Sequence, residues 1–183
     1  SFVQTNKHKE RFLKLGISEH CIEVAGSVKF DISNADANPI KAAPFILGAS
    51  THPGEEEILL NAYKRLKKNK DIKLFICPRH PERAGEILKQ AAIMNFRVEL
   101  YSDLDSKDYD VCIINSTGLL SSFYASSLMS FVGGSLVPRG GHNLIEPAVL
   151  GSPIIIGPHT FNFEEIVHQF LNDDACIKVT GEN

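Results

Sequence analysis

Short β-branched runs alternate with amphipathic helical stretches along most of this chain, and that alternation restricts its fold more than any other feature. Apolar runs over residues 44–48, 72–77, 98–101, 111–114, 129–132, 153–156 and 175–179 have the length of strands. Several are apolar at nearly every position, as strands covered on both faces of a parallel sheet are. Between them, residues 55–68, 81–94, 119–126, 143–150 and 163–171 carry helical periodicity, and the connections are short. Strand and helix in turn are the grammar of βαβ units, so the expected fold is α/β, a Rossmann-like parallel sheet flanked by helices.

Upstream, residues 7–16 read as a helix and 21–25 as a strand, followed by a stretch rich in Asn, Ala, Asp and Pro. The expected organisation is therefore 1–26 as the end of a preceding amino-terminal domain, 27–43 as an interdomain linker and 44–183 as the ligand-binding domain. The chain opens on Ser1 and stops at Asn183 just after a strand-like run, the pattern expected of a piece of a longer protein.

A formal net charge of −3 offers no basic field to a phosphate polymer, so nucleic acid is excluded as a partner, whereas a small anion needs only a few local donors. No apolar run approaches the ~20 residues of a spanning helix. Cys21, Cys77, Cys112 and Cys176 are far apart and form no C-x-x-C pair, which indicates neither a disulfide framework nor a zinc site and fits a reducing cytoplasm. The histidines show no H-x-H or H-E-x-x-H spacing, so no metal is expected.

In an open parallel sheet, ligands bind beyond the carboxyl ends of the strands, where the strand order reverses. Four of the seven histidines, His52, His80, His142 and His159, stand in Gly- and Pro-rich segments that follow strands directly. Each such loop alone reads equally well as turn punctuation; four together indicate a site. Gly133, Gly134 and Ser135 allow close approach of a ligand to the backbone, and the following turn can offer amide N–H groups to a phosphate, although a glycine pair also suits a plain tight turn. Asn143 and Glu146 read either as a capping box or as a sugar-hydroxyl acceptor at a helix start. Arg79 carries a fork of donors suited to an anion, its alternative being a solvated surface position. Glu55, Glu56 and Glu57 read as complements to a helix dipole.

Five segments together resemble the carboxyl-terminal half of the 3-deoxy-D-manno-octulosonic acid (Kdo) transferase family. They are Gly26-Ser27-Val28-Lys29-Phe30-Asp31, the run from Gly48 to Glu56, Cys77-Pro78-Arg79-His80-Pro81-Glu82-Arg83, the long run from Phe131 to Pro147, and Gly157-Pro158-His159-Thr160-Phe161-Asn162-Phe163. The resemblance runs over roughly residues 26–180, in order along the chain. It implies one half of a GT-B glycosyltransferase, the half that binds the donor CMP-Kdo. The other half would bind the acceptor, lipid IVA, and carry both the membrane contact and the carboxylate general base. The full-length enzyme would work at the cytoplasmic face of the inner membrane in lipopolysaccharide biosynthesis, by inverting transfer with no cofactor and no required metal.

Carried over by position, the resemblance places Pro78 and Arg79 at the CMP moiety, Thr117, Gly118 and Leu119 in a second contact loop, and Asn143, Leu144, Ile145 and Glu146 at the nucleotide. Ser50, His52, His80, Gly133, Gly134 and Ser135 follow as donor contacts. Members of the family often carry an acidic residue where this chain has Leu119, so only backbone contacts carry over at that position. No residue here corresponds to the catalytic base, and the chain by itself is expected to be inactive. Two other readings share part of the pattern: another GT-B nucleotide-sugar enzyme, such as a UDP-sugar transferase or 2-epimerase, and a non-enzymatic α/β binding domain.

Overall fold

The computed structural model describes residues 1–4, 6–25, 38–68, 71–103 and 108–181. The chain forms two compact units, residues 1–32 and 33–183. The motif from Gly26 to Asp31, and the expected linker as far as residue 37, lie outside the described residues.

In the first unit, β1 (Phe2–Val3) pairs in parallel with β2 (Glu23–Val24), and α1 (Asn6–Lys14) lies between them in sequence. Val3 and Ile22 are its buried apolar residues. A two-residue strand has no periodicity to read, which is why β1 is visible only in the folded chain.

The second unit is a seven-stranded sheet in which every pairing is parallel. Its strands are β3 (Phe45–Thr51), β4 (Lys73–Pro78), β5 (Val98–Leu100), β6 (Val111–Ile113), β7 (Met129–Val132), β8 (Ile154–Ile156) and β9 (Cys176–Lys178). The helices are α2 (Glu55–Leu66), α3 (Ala84–Ile93), α4 (Leu120–Tyr124), α5 (Ile145–Val149) and α6 (Glu164–Asn172). Across the sheet the order is β5-β6-β4-β3-β7-β8-β9. From β3 the chain first builds outward through β4, then crosses back to lay β7 on the other side of β3. The strand order therefore reverses between β3 and β7.

Apolar residues on both faces hold this arrangement. Leu74 and Ile76 of β4 point into one cluster with Leu60 of α2 and Ile87 of α3, while Phe75 between them joins Phe45, Leu47 and Phe123 on the other face, as strand alternation requires. The rings of Phe45, Phe75 and Phe123 stand 4.4 to 6.2 Å apart. Val132, Leu144, Ile154, Ile156, Val167 and Cys176 form a third cluster under α6. Each such side chain contributes about 1.5–3 kcal/mol on full burial.

Differences from the expected boundaries concentrate at the carboxyl edge. β3 runs past residue 48 to Thr51, with an irregular register between Ala49 and Thr51 and with Ser50 at φ +52°. A bulge of this kind re-aims the strand end. Pro81 lacks an amide hydrogen, and residues Pro81–Arg83 form a separate 3-10 turn ahead of α3. Asn143 does not begin a capping box: its Oδ1 accepts from the amide of Ile145, and α5 starts at Ile145.

Candidate functional site

All seven strands of the second unit end on the same edge, so the loops after β3, β4, β6 and β7 share that edge, with the β3/β7 switch point at its centre. Backbone contact fixes the loop after β7 here. A methyl group on Gly133 would stand 2.3 Å from the carbonyl oxygen of Ser50, and one on Gly157 would stand 2.2 Å from that of Ser135. Only glycine lets the three strand ends close to this distance.

The amides of that loop are occupied from within. Glu55, at the first position of α2, is fully buried. One of its oxygens accepts from the amides of His52 at 2.9 Å and Gly134 at 2.8 Å, the other from those of Ser135 at 3.0 Å and Leu136 at 2.9 Å. Glu55 thus does more than complement a helix dipole: it ties the loops after β3 and β7 together. The backbone amides of Gly134 and Ser135 are accordingly spent on this carboxylate rather than held open for a ligand phosphate. The Ser135 hydroxyl is also committed, donating to Val132 O and accepting from the amide of Gly157 at 2.8 Å. A second buried carboxylate, Glu56, accepts from Thr51 Oγ1 at 2.9 Å and from Arg83 Nη1 at 2.7 Å, bracing the loop after β4 against α2.

Above this scaffold stands a group of cationic and imidazole side chains. His52 and His142 meet Nε2 to Nε2 at 2.9 Å, their rings 5.1 Å apart and within 8° of parallel. His80, exposed, places its ring edge-on to His52 at 6.2 Å, with Glu82 at 3.6 Å from its Nδ1. Arg79 and Arg139 are exposed, and neither pairs with a carboxylate among the described residues. Pro78 lies buried in register with Thr51, and the Arg79 amide donates to Thr51 O at 2.9 Å. Burial lowers the pKa of His142 to about 4, reinforced by His52 and Arg79. His52 is also lowered, first by burial; Glu55 opposes this, and Arg139 and His80 add to it. The neutral forms of His52 and His142 are therefore favoured.

The remaining expected residues form a neighbouring wall. Thr117 and Gly118 are exposed in the loop after β6, Gly118 at φ +81° with open space around it, and Leu119 leads into α4. Ser121 of α4 donates to Glu146 Oε1 at 2.7 Å, which joins the first turn of α4, just after the β6 loop, to the start of α5. Glu146 does not reach back toward Asn143; among the described residues only its Oε1 is hydrogen-bonded, and the half-buried carboxylate can accept from a ligand hydroxyl. Leu144 and Ile145 are buried in the core, so what they can offer a ligand is backbone.

The structure thus brings Ser50, His52, Pro78, Arg79, His80, Gly133, Gly134 and Ser135 together at the switch point, and joins Thr117–Leu119 to Asn143–Glu146 beside it. Thr51, Glu55, Glu56 and Arg83 were not anticipated as parts of the site. A glutamate run just after a strand-end histidine hints at them, but their partners lie up to 81 residues away in sequence. His142, singled out only as a strand-end histidine, proves to be the direct partner of His52. Among the described residues no group of three or more His, Cys, Asp or Glu side chains could hold a metal ion, and no helix is long and apolar enough to cross a membrane.

No family model matches the chain. It is 33% identical over 193 aligned positions to a 3-deoxy-D-manno-octulosonic acid transferase of Haemophilus influenzae, with 98% of this chain and 45% of that protein covered. It is 32% identical to the transferase of the same name from Aquifex aeolicus, with 98% of this chain and 50% of that protein covered. The chain spans about half the length of these curated relatives. A solved structure, the C-terminal CMP-Kdo binding domain of WaaA from Acinetobacter baumannii, superposes with a TM-score of 0.72 at 35% identity, over 78% of this chain and 76% of that one. The glycine-braced switch point is therefore set in a fold and a sequence shared with solved and curated relatives alike, and the chain belongs to the 3-deoxy-D-manno-octulosonic acid transferase family, as its carboxyl-terminal domain.

Proposed function

We propose that this chain is the donor-binding half of a GT-B Kdo transferase, binding CMP-Kdo at the β3/β7 switch point. Arg79 meets the phosphate, with Pro78 shaping the approach. Thr117, Gly118 and Leu119 line the nucleotide through backbone contacts, together with Asn143, Leu144 and Ile145, and the unengaged oxygen of Glu146 accepts from the ribose hydroxyls. Ser50, His52 and His80 face the phosphate or the Kdo carboxylate, while Gly133, Gly134 and Ser135 form the floor through shape rather than through free amides.

The chemistry follows from charge. As the bond between the anomeric carbon and the phosphate oxygen breaks, its electron pair passes to the leaving CMP, which gains a negative charge. Arg79, Arg139 and the histidines are already placed around that developing charge, and fixed donors of this kind supply much of an enzyme's transition-state stabilisation. The acceptor lipid IVA, the general base and the membrane contact belong to the other half of the whole enzyme, at the cytoplasmic face of the inner membrane. Half a cleft cannot bring donor, acceptor and base together, so this chain alone transfers no Kdo.

The observation that carries this reading is the convergence of two arginines, without carboxylate partners among the described residues, and a hydrogen-bonded imidazole pair on the switch-point edge of a parallel sheet. A ligand that binds only the folded state at a hundredfold its Kd stabilises by about 2.7 kcal/mol. Thermal denaturation with CMP should therefore show a clear upward shift, with UMP a smaller one. Equal shifts, or none at high nucleotide, would refute donor binding of this specificity.

A further inference from the structure

The contact between His52 and His142 has a definite proton count. Two imidazole nitrogens 2.9 Å apart can hydrogen-bond only if one carries the hydrogen and the other presents its lone pair. In the neutral pair one ring is therefore the Nε2–H tautomer with a bare Nδ1, and the other is the Nδ1–H tautomer. A proton taken from solvent onto the bare Nδ1 leaves the Nε2–H···Nε2 bond intact. It gives the pair one positive charge, shared across the bond, and two outward N–H donors. No other atom has to move.

The surroundings decide when that proton is taken up. From the loop after β4 the pair faces Arg79 and His80; from the loop after β7 it faces Arg139; from α2 it faces Glu55 and Glu56. Both glutamates already have partners of their own, Glu55 four backbone amides and Glu56 Thr51 and Arg83. Burial is the first influence against a further charge on either ring; Arg79 and His52 add to it at His142, and Arg139 and His80 at His52, where Glu55 opposes them. An anion bound beside the pair supplies the opposite charge that favours its protonated form.

We infer that His52 and His142 act as one unit, an anion receptor that takes up a single proton from solvent when the phosphate-bearing donor binds. This rests on the donor-binding reading and extends it: the pair reads the ligand's negative charge, while the nucleotide is read elsewhere. Linkage then fixes the pH dependence. Because the pair is neutral when free and protonated when bound, affinity falls about tenfold per pH unit between the free and bound pKa values, since one proton is consumed per ligand.

The test is titration calorimetry of the chain with CMP at pH 7.5, in buffers of different ionisation enthalpy, which reads protons taken up per ligand directly. At that pH the phosphate of CMP, with its second ionisation near pH 6, is already dianionic and contributes little. The expected result is uptake approaching one proton with CMP, close to zero with cytidine, and close to zero with CMP for His142→Gln. Imidazole nitrogen NMR of the ligand-free chain should show one ring of each tautomer at pH 7, a readout independent of how the variant folds. CMP binding without proton uptake, or two rings of the same tautomer, would overturn the inference while leaving donor binding intact. Absence of CMP binding would overturn the donor reading and this inference with it.

Discussion

Glu55 is the most demanding test of how this site is built. It is 0% exposed and accepts four backbone hydrogen bonds, two on each oxygen, from the loops after β3 and β7. Glu55→Gln keeps one carbonyl oxygen but turns an NH2 group toward two of those amides. Two buried donors then lose their acceptor, at about 1–3 kcal/mol each. We expect a loss of about 3 kcal/mol, a large share of the 5–15 kcal/mol typical of a whole domain. With a shift of about 2–4 °C per kcal/mol for a domain of this size, Tm should fall by roughly 6–12 °C. Glu57, exposed on the same helical turn, is the control: Glu57→Gln should change stability by no more than about 1 kcal/mol, the most a helix-dipole charge is usually worth. Urea denaturation of both variants measures the difference. If Glu55→Gln costs no more than Glu57→Gln, Glu55 only complements the helix dipole and the cross-link between the two loops is not what holds the site.

Three further outcomes are expected. Arg79→Ala should weaken CMP binding by roughly 10- to 150-fold, the equivalent of a charge-assisted contact of about 1.5–3 kcal/mol, with an unchanged melting curve because the side chain is exposed; calorimetry showing parental affinity would assign Arg79 to the solvated surface. Gly133→Ala drives a methyl group to 2.3 Å from the Ser50 carbonyl and should cost at least the about 1–3 kcal/mol of core overpacking, whereas Gly85→Ala in α3, with nothing within 4 Å, should stabilise by up to about 1 kcal/mol; the reverse order in thermal melts would contradict the close approach. Asp110 is buried, which raises its carboxyl, but hydrogen bonds from Arg97 and Lys67 outweigh this and hold it well below the ordinary carboxylate range. Its stabilisation is therefore complete above the unfolded carboxylate pKa of about 4 and is lost as pH falls below it, so Asp110→Asn should flatten the acid limb of a stability-against-pH curve, and an unchanged limb would exclude it as a contributor.

The strands and helices of the second unit were legible because their signals are local. β7 (Met129–Val132) occupies the very residues its apolar run marks, and α2 (Glu55–Leu66) begins where the periodicity does. Burial of a strand or a helix face leaves its period in the chain itself, so composition along ten residues is enough to read it. The sequence also determined that histidines, glycines and an arginine follow strands, and in a parallel sheet that alone places them on one edge. It marked Gly133 as open to close approach by a ligand, whereas the folded chain uses that room for its own backbone: a methyl group there would stand 2.3 Å from the Ser50 carbonyl oxygen.

Pairing across the fold was left to tertiary structure. Glu55 reads as a helix-start carboxylate until β3 and β7 lie side by side, and only then do amides 79 to 81 residues away become its partners. His52 and His142 are separated by 90 residues, and nothing in either segment states that their Nε2 atoms meet. The capping box at Asn143 and Glu146 was a sound local reading that lost to a distant partner, because the hydroxyl of Ser121 offered Glu146 a hydrogen bond at 2.7 Å. Periodicity is a property of neighbours in sequence, so the chain specifies its elements and the edge they share. Which polar groups on that edge satisfy one another depends on strand order and register, and those exist only once the sheet has closed.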